Sequence, residues 1–178
     1  ELAVIVPIPE AVLDDSAFDI WGEVQPTLVE AFGIAIDQAV LYGTNIPASW
    51  TTNLGAAGLV ALSTAAGNTV SAAAYTDLYE ALLGETAGGV AGSLGKLEED
   101  GYMATGHVAD TSMKRKLRNV RSTVGDPIFR TNMQDSTRYD LDGSPIYFPT
   151  NGAISAATAL VVSGQWNQLV FAMRQDIT

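Results

Sequence analysis

Residues 9–43, PEAVLDDSAFDIWGEVQPTLVEAFGIAIDQAVLYG, decide how the rest of the chain is read. Val24, Leu28, Phe32, Ala35 and Ala39 recur at three- and four-residue steps, which places them on one face of an α-helix. Asp19, Glu23, Glu30 and Asp37 fall mostly on other faces. Asp14, Asp15 and Ser16 supply a cap and negative charge where the helix dipole is positive, and Gly43 supplies a stop. The spacing predicts a helix over about 14–42. Pro26 removes one ladder bond, but the apolar pattern resumes beyond it, so a kink is expected rather than an end. A helix this long needs something outside itself to lie against, which makes it a spine for a larger domain or an assembly.

The chain of 178 residues has room for one or two domains and a real core. Hydrophobic content of 47% with 16% charged residues describes a folded chain, not a disordered one. The absence of cysteine excludes disulfides, thiolate metal sites and cysteine nucleophiles. A single histidine, His107, excludes multi-histidine metal sites. The net charge of −11 is unevenly placed: no Lys or Arg precedes Lys96, and acidic and basic groups balance from there on. The first 95 residues therefore cannot grip phosphate. The uncharged stretch 38–76 is interrupted throughout by Asn, Ser, Thr, Gly and Pro, and its most apolar part, LGAAGLVAL, is too short to span a bilayer. The first residue is Glu and the last residues are MRQDIT, which reads as an internal fragment of a longer protein.

Leu2–Ile8 reads as a strand confined to an edge by Pro7. After the spine, GTNIPASWTTNLG is turn chemistry, and residues 56–74 read as a helix followed by a loop near Gly67-Asn68. Ser71 or Thr76 caps a helix through Tyr79 to Leu83. The glycines at 89, 92 and 95 suggest a phosphate loop, but the required earlier Gly is Val90 and Gly95-Lys96 is followed by Leu97, so the pattern fails twice. A loop leading into a helix closed by Gly101 is expected instead. Residues 102–109 read as a core strand containing His107, and no G-x-S-x-G motif stands anywhere to partner that ring as a base.

Asp110 or Thr111 then caps a helix over 111–122. Met113, Leu117 and Val120 share its apolar face, and Lys114, Arg118 and Arg121 share a basic one. That basic face suits an inter-subunit contact; with no interleaved aromatics, a nucleic-acid contact is the weaker reading. Residues 125–139 read as a projecting loop or short strands, and Asp142-Gly143 as a turn before a strand at 146–148. Asp140 and Asp142 begin like a calcium loop, but the third acidic position and the terminal Glu are missing. Residues 158–162 and 168–173 read as two buried strands around a turn. No catalytic, cofactor-binding or metal-binding residue is assigned, and no cofactor is expected.

In order, LAVIVPIPEAVLDDSAFDI, DQAVLYGTNIPASW, LDGSPIYF and ALVVSGQWNQLVFAMRQDIT resemble successive segments of the major capsid proteins of tailed double-stranded DNA bacteriophages, the Hong Kong phage type of capsid fold. The resemblance implies an α+β fold with a long spine helix and a mixed-sheet axial domain flanked by helices. It places residues 1–60 in a peripheral domain and 70–178 in the axial domain. It also implies that the N-terminal arm, the extended loop and the C-terminal peripheral strands lie outside this chain, and it assigns no crosslinking residue. The implied function is a structural, non-enzymatic subunit of an icosahedral phage or prophage shell. Such a subunit self-assembles into pentamers and hexamers around double-stranded DNA, in the virion after assembly in the host bacterial cytoplasm. Copies of itself would be its partners, with scaffold, portal and maturation protease, and with neither sequence-specific nucleic acid nor membrane. On this reading Val24, Leu28, Phe32 and Ala35 pack the spine, and Lys114, Arg118 and Arg121 face another subunit. The alternatives are an encapsulin-type nanocompartment shell, or a nucleic-acid module or small enzyme using His107 or the 114–121 basic helix.

Overall fold

The computed structural model describes residues 5–10, 19–50, 54, 57–122, 124–128 and 139–172. The chain divides into two compact units, one of residues 1–62 with 151–153 and one of residues 63–150 with 154–178.

The first unit is built on α1 (Ile20–Tyr42). The helix starts later than the sequence spacing suggests: Asp19 is its extended N-cap, and Asp14, Asp15 and Ser16 lie outside the described residues. It runs unbroken through Pro26 and stops at Gly43, whose left-handed backbone (φ 68°) turns the chain. The Gly43 and Thr44 N–H groups then close on the carbonyls of Ala39 and Gln38. The beginning of α2 (Gly58–Ala65) lies against this stop. A Cβ on Gly58 would stand 2.5 Å from the Gly43 nitrogen, and its φ of +74° independently favours glycine. The strand expected over Leu2–Ile8 does not form in its described part. Residues 5–9 have no regular structure and Ile5 is 91% exposed. Pro7 and Pro9 have no N–H, so this segment has few donors for a ladder.

The second unit places helices on one face of a small mixed sheet. A 3-10 turn (Ala72–Ala74) leads to α3 (Leu78–Leu82), which is capped by Asp77 rather than by Ser71 or Thr76. Asp77 Oδ1 accepts the Glu80 N–H at 2.9 Å, and Glu80 Oε2 accepts the Thr76 N–H at 3.0 Å, a reciprocal arrangement close to a capping box. After α4 (Ser93–Glu99), Gly101 reverses the chain at φ 82°. The strand predicted over 102–109 is shorter, β1 (Gly106–Ala109). Helix α5 (Ser112–Arg118) follows, then β2 (Asp140–Leu141), β3 (Ser144–Tyr147) and β4 (Val161–Gly164).

The sheet order is β2-β3-β1-β4. β1 runs parallel to β3 and antiparallel to β4, and β2-β3 is a hairpin. Its two-residue turn, Asp142-Gly143, has both φ angles positive, as hairpin twist requires. In this register His107 lies opposite Ile146 on one side and Ser163 on the other, and Ala109 opposite Val161. That face meets the core of Leu82, Leu94, Ala109, Met113, Leu117, Leu141 and Ile146.

The second of the two C-terminal strands is not formed over 168–172. Trp166–Gln168 instead makes a 3-10 turn, because the Trp166 indole folds back and donates to the Gly106 carbonyl at 2.9 Å. Leu169, Val170 and Phe171 stay exposed, and residue 173 lies outside the described residues.

Candidate functional site

His107 is the one ring in the chain with acid–base capacity near neutral pH, and the fold consumes it. It is fully buried. Nε2 stands 3.2 Å from the Leu141 carbonyl, which can only accept, so Nε2 carries the proton of the neutral ring. Nδ1 then accepts from the Ser163 hydroxyl at 2.8 Å. Burial lowers the ring's pKa below 6.5, opposed by the Leu141 carbonyl and the Asp142 charge. One side chain thus ties β1 to β2 and β4. A base in that position has no surface for a substrate to reach, so the enzyme reading of His107 finds no support in its geometry.

The glycine-rich segment is likewise closed on itself. Glu85 and Ala91 form a bridge, and Thr86 Oγ1 accepts the N–H groups of Gly88 (3.3 Å) and Val90 (3.1 Å). Gly89 N–H goes to Thr86 O and Gly92 N–H to Gly84 O. The amides that would cradle a phosphate are therefore spent within the loop. Asp140 and Asp142 belong to the hairpin, and among the described residues no three His, Asp or Glu side chains are grouped to hold a metal ion. No described helix is long and apolar enough to cross a membrane.

The basic segment is reorganised by the fold. Asp110 Oδ1 accepts the Ser112 N–H at 2.8 Å, and its carboxyl pKa is held below its ordinary value chiefly by hydrogen bonds from Ser112. Thr111 occupies the N-cap position without a side-chain cap. Met113, Leu117 and Val120 are buried. The helix ends at Arg118, earlier than residue 122, so Arg121 lies beyond it, in a bridge with Pro127. The three predicted basic-face residues therefore do not share one helical stripe. Lys114 is drawn over an aromatic pair, its Nζ 4.7 Å from the Phe148 ring centre and 5.7 Å from that of Tyr139. Those rings meet edge to face at 5.1 Å. Arg115, Lys116, Arg118 and Arg121 remain exposed. The aromatic partners of Lys114 and the Ser163 partner of His107 were not identified from sequence, because each lies more than twenty residues away.

On α1, Val24, Leu28, Phe32 and Ala35 are half-buried, while Ala39 and Leu41 are buried. Trp21 falls on the same face, three residues before Val24, yet is 62% exposed. Cover on this face therefore runs out toward the N-terminal end. The spacing 21-24-28-32 was the signal that would have added Trp21 to the predicted face. Glu23, Glu30 and Asp37 form an exposed stripe on the opposite side.

Among the described residues these surfaces present exposed charge and exposed apolar side chains. The chain belongs to the phage capsid family, whose model matches residues 1–178. It is similar to a solved structure from Microbacterium phage Oxtober96, with 30% identity and a TM-score of 0.76 over 92% of this chain and 50% of that one. A structure from Mycobacterium phage Cain matches with 28% identity and a TM-score of 0.68, over 91% and 48%. One from Mycobacterium phage Adephagia matches with 27% identity and a TM-score of 0.66, over 90% and 47%. The chain thus spans about half the length of these relatives. No curated protein matches it.

Proposed function

We propose that this chain is part of a structural subunit of an icosahedral phage or prophage capsid, one that self-assembles into pentamers and hexamers enclosing double-stranded DNA. The observation that carries the reading is the family match over residues 1–178, joined to a fold similar to phage chains at a TM-score of 0.76. Phage origin of the similar structures favours a DNA-filled shell over a cargo-packing compartment. In this reading residues 1–60 belong to the peripheral domain with α1 as spine, and residues 70–178 form the axial domain. Val24, Leu28, Phe32 and Ala35 pack the spine, and the basic segment faces a neighbour. The subunit performs no catalysis. It works in the virion after assembly in the bacterial cytoplasm, with scaffold, portal and maturation protease as further partners.

Charge placement supports the same reading. The first 95 residues hold eleven acidic groups and no basic one, so that part of a subunit would not adhere to packaged DNA. The test is electron microscopy with light scattering on the complete protein, expressed alone and with its scaffold. Closed shells or uniform capsomer rings are expected. A monomer under both conditions at high concentration would refute the proposal.

A further inference from the structure

Five of the chain's nine cations lie within residues 114–121, and the fold treats them unequally. Lys114 is held over Phe148 and Tyr139. Lys96, elsewhere in the unit, donates from Nζ to the Gly67 carbonyl at 2.7 Å. Arg115 and Arg118 project from the side of α5 opposite the buried Met113 and Leu117, one turn apart. Arg118 donates its Nε–H to the Lys114 carbonyl at 3.2 Å and is exposed. Lys116 and Arg121 flank the pair and are exposed. The result is a positive patch on a helix whose other side is buried at Met113 and Leu117.

The complementary feature is on α1. Glu23, Glu30 and Asp37 repeat every seven residues, so they drift only about 20° per step and stand about 10.5 Å apart along the helix. All three are exposed, on the side away from Val24, Leu28 and Phe32. No Lys or Arg lies anywhere in residues 1–95 to neutralise them locally. Arg115 and Arg118 offer two exposed guanidinium groups of the opposite sign to this stripe. Guanidinium groups also suit carboxylates, because their planar fork binds carboxylate oxygens two at a time.

We propose that the acidic stripe Glu23–Glu30–Asp37 of one copy of this chain docks on the Arg115–Arg118 patch of a second copy. The inference rests on the shell-subunit reading and specifies one contact within it. A second copy is favoured over nucleic acid as occupant because this chain supplies the matching acidic surface itself. Its net charge of −11 opposes polyanion binding, no aromatic residue lies within residues 114–121, and the rings beside Lys114 are engaged with its Nζ and with each other.

The experiment is a charge swap in the complete protein, read by sedimentation velocity and electron microscopy, with circular dichroism to confirm folding. One variant carries Glu30→Lys and Asp37→Lys, a second carries Arg115→Glu and Arg118→Glu, and a third carries all four. Each two-site variant alone is expected to remain folded and to associate at least about a hundredfold more weakly than the native chain. Mixing the two, or using the four-site variant, is expected to restore association. Milder Glu30→Gln and Asp37→Asn changes, which cannot introduce repulsion, are expected to weaken association about tenfold.

Native-like assembly of either reversal variant would overturn the contact while leaving the capsid reading intact. Loss in both with no rescue on mixing would overturn it too. DNA binding that vanishes on Arg115→Glu with Arg118→Glu while assembly persists would assign the patch to nucleic acid instead. Failure of the native protein to assemble with scaffold would remove the capsid reading and the contact together.

Discussion

Replacing Gly92 by Ala tests the closest backbone approach in the sheet-containing unit. Gly92 precedes α4 with φ −70°, a value any residue accepts, so the substitution carries no intrinsic backbone penalty. The obstacle is space. A Cβ there would lie 2.6 Å from Glu80 O, 2.8 Å from Gly84 O and 3.0 Å from Ala81 O, against 3.4 Å for the start of ordinary contact. All three are main-chain oxygens at the end of α3, so no flexible side chain can swing aside. Relief requires α4 to move off α3, which stretches the 2.8 Å bond from Gly92 N–H to Gly84 O and loosens Leu82 and Leu94 in the core. Overpacking of this kind costs about 1–3 kcal/mol, and three backbone contacts place the change at the upper end. For a unit of this size about 2–3 kcal/mol lowers the melting temperature by roughly 8–20 °C. Gly88→Ala is the control: its nearest obstacle is Thr86 Oγ1 at 3.6 Å, so its melting temperature should hold or rise slightly. Calorimetry on both variants decides the matter. A Gly92→Ala melting temperature within a degree or two of native would refute the close packing of α3 on α4.

Three further outcomes are expected. The burial-lowered pKa of His107 makes stability complete above pH 6.5. As pH falls below that value the unfolded chain takes up a proton that the folded ring resists, so the urea midpoint should drop between pH 7.5 and 5.5. His107→Gln should lessen this slope, and identical slopes for the two proteins would refute the assignment. Lys114→Met keeps the stem over Phe148 and Tyr139 but removes the charge, and should cost about 0.5–1 kcal/mol by urea titration, whereas Lys114→Arg should cost less. Phe32→Asp puts a carboxylate on the covered face of α1 and should cost about 2 kcal/mol or more and abolish particle yield; unchanged stability and yield would remove α1 from the role of spine.

Features encoded locally were legible in the sequence. Gly43 stops α1 because only glycine takes its left-handed turn without cost, and Asp142-Gly143 makes a hairpin because both residues tolerate positive φ. The Met113-Leu117 spacing identified the buried side of α5, and Val120, just past the helix end, is buried too. What was not legible depends on partners distant in sequence. A strand exists only where a neighbour takes its hydrogen bonds, so residues 5–8 and 168–172, equally β-prone, remain unpaired here while Gly106–Ala109 pairs on both edges. The apparent basic face of α5 was a helical projection. It missed that the helix ends before Arg121 and that Lys114 belongs to an aromatic pair 25 and 34 residues further on.

The two sides of α1 would contribute to assembly in different ways. On the apolar side, cover is complete at Ala39 and has gone by Trp21, so a residue that favours burial is left in water at one end of a helix about 34 Å long. Burying that end would add affinity, since apolar area carries most of the energy of association, but it would discriminate poorly between one apolar neighbour and another. The carboxylates on the opposite side supply what the apolar side lacks. Their seven-residue repeat presents like groups at fixed steps, so sliding a bound basic patch by half a step would leave its guanidinium groups between carboxylates. Charge would then set register, and apolar cover would set strength. An assembly held in that way should lose its uniform geometry in high salt before it loses association, because exposed charge pairs are screened while buried apolar area is not.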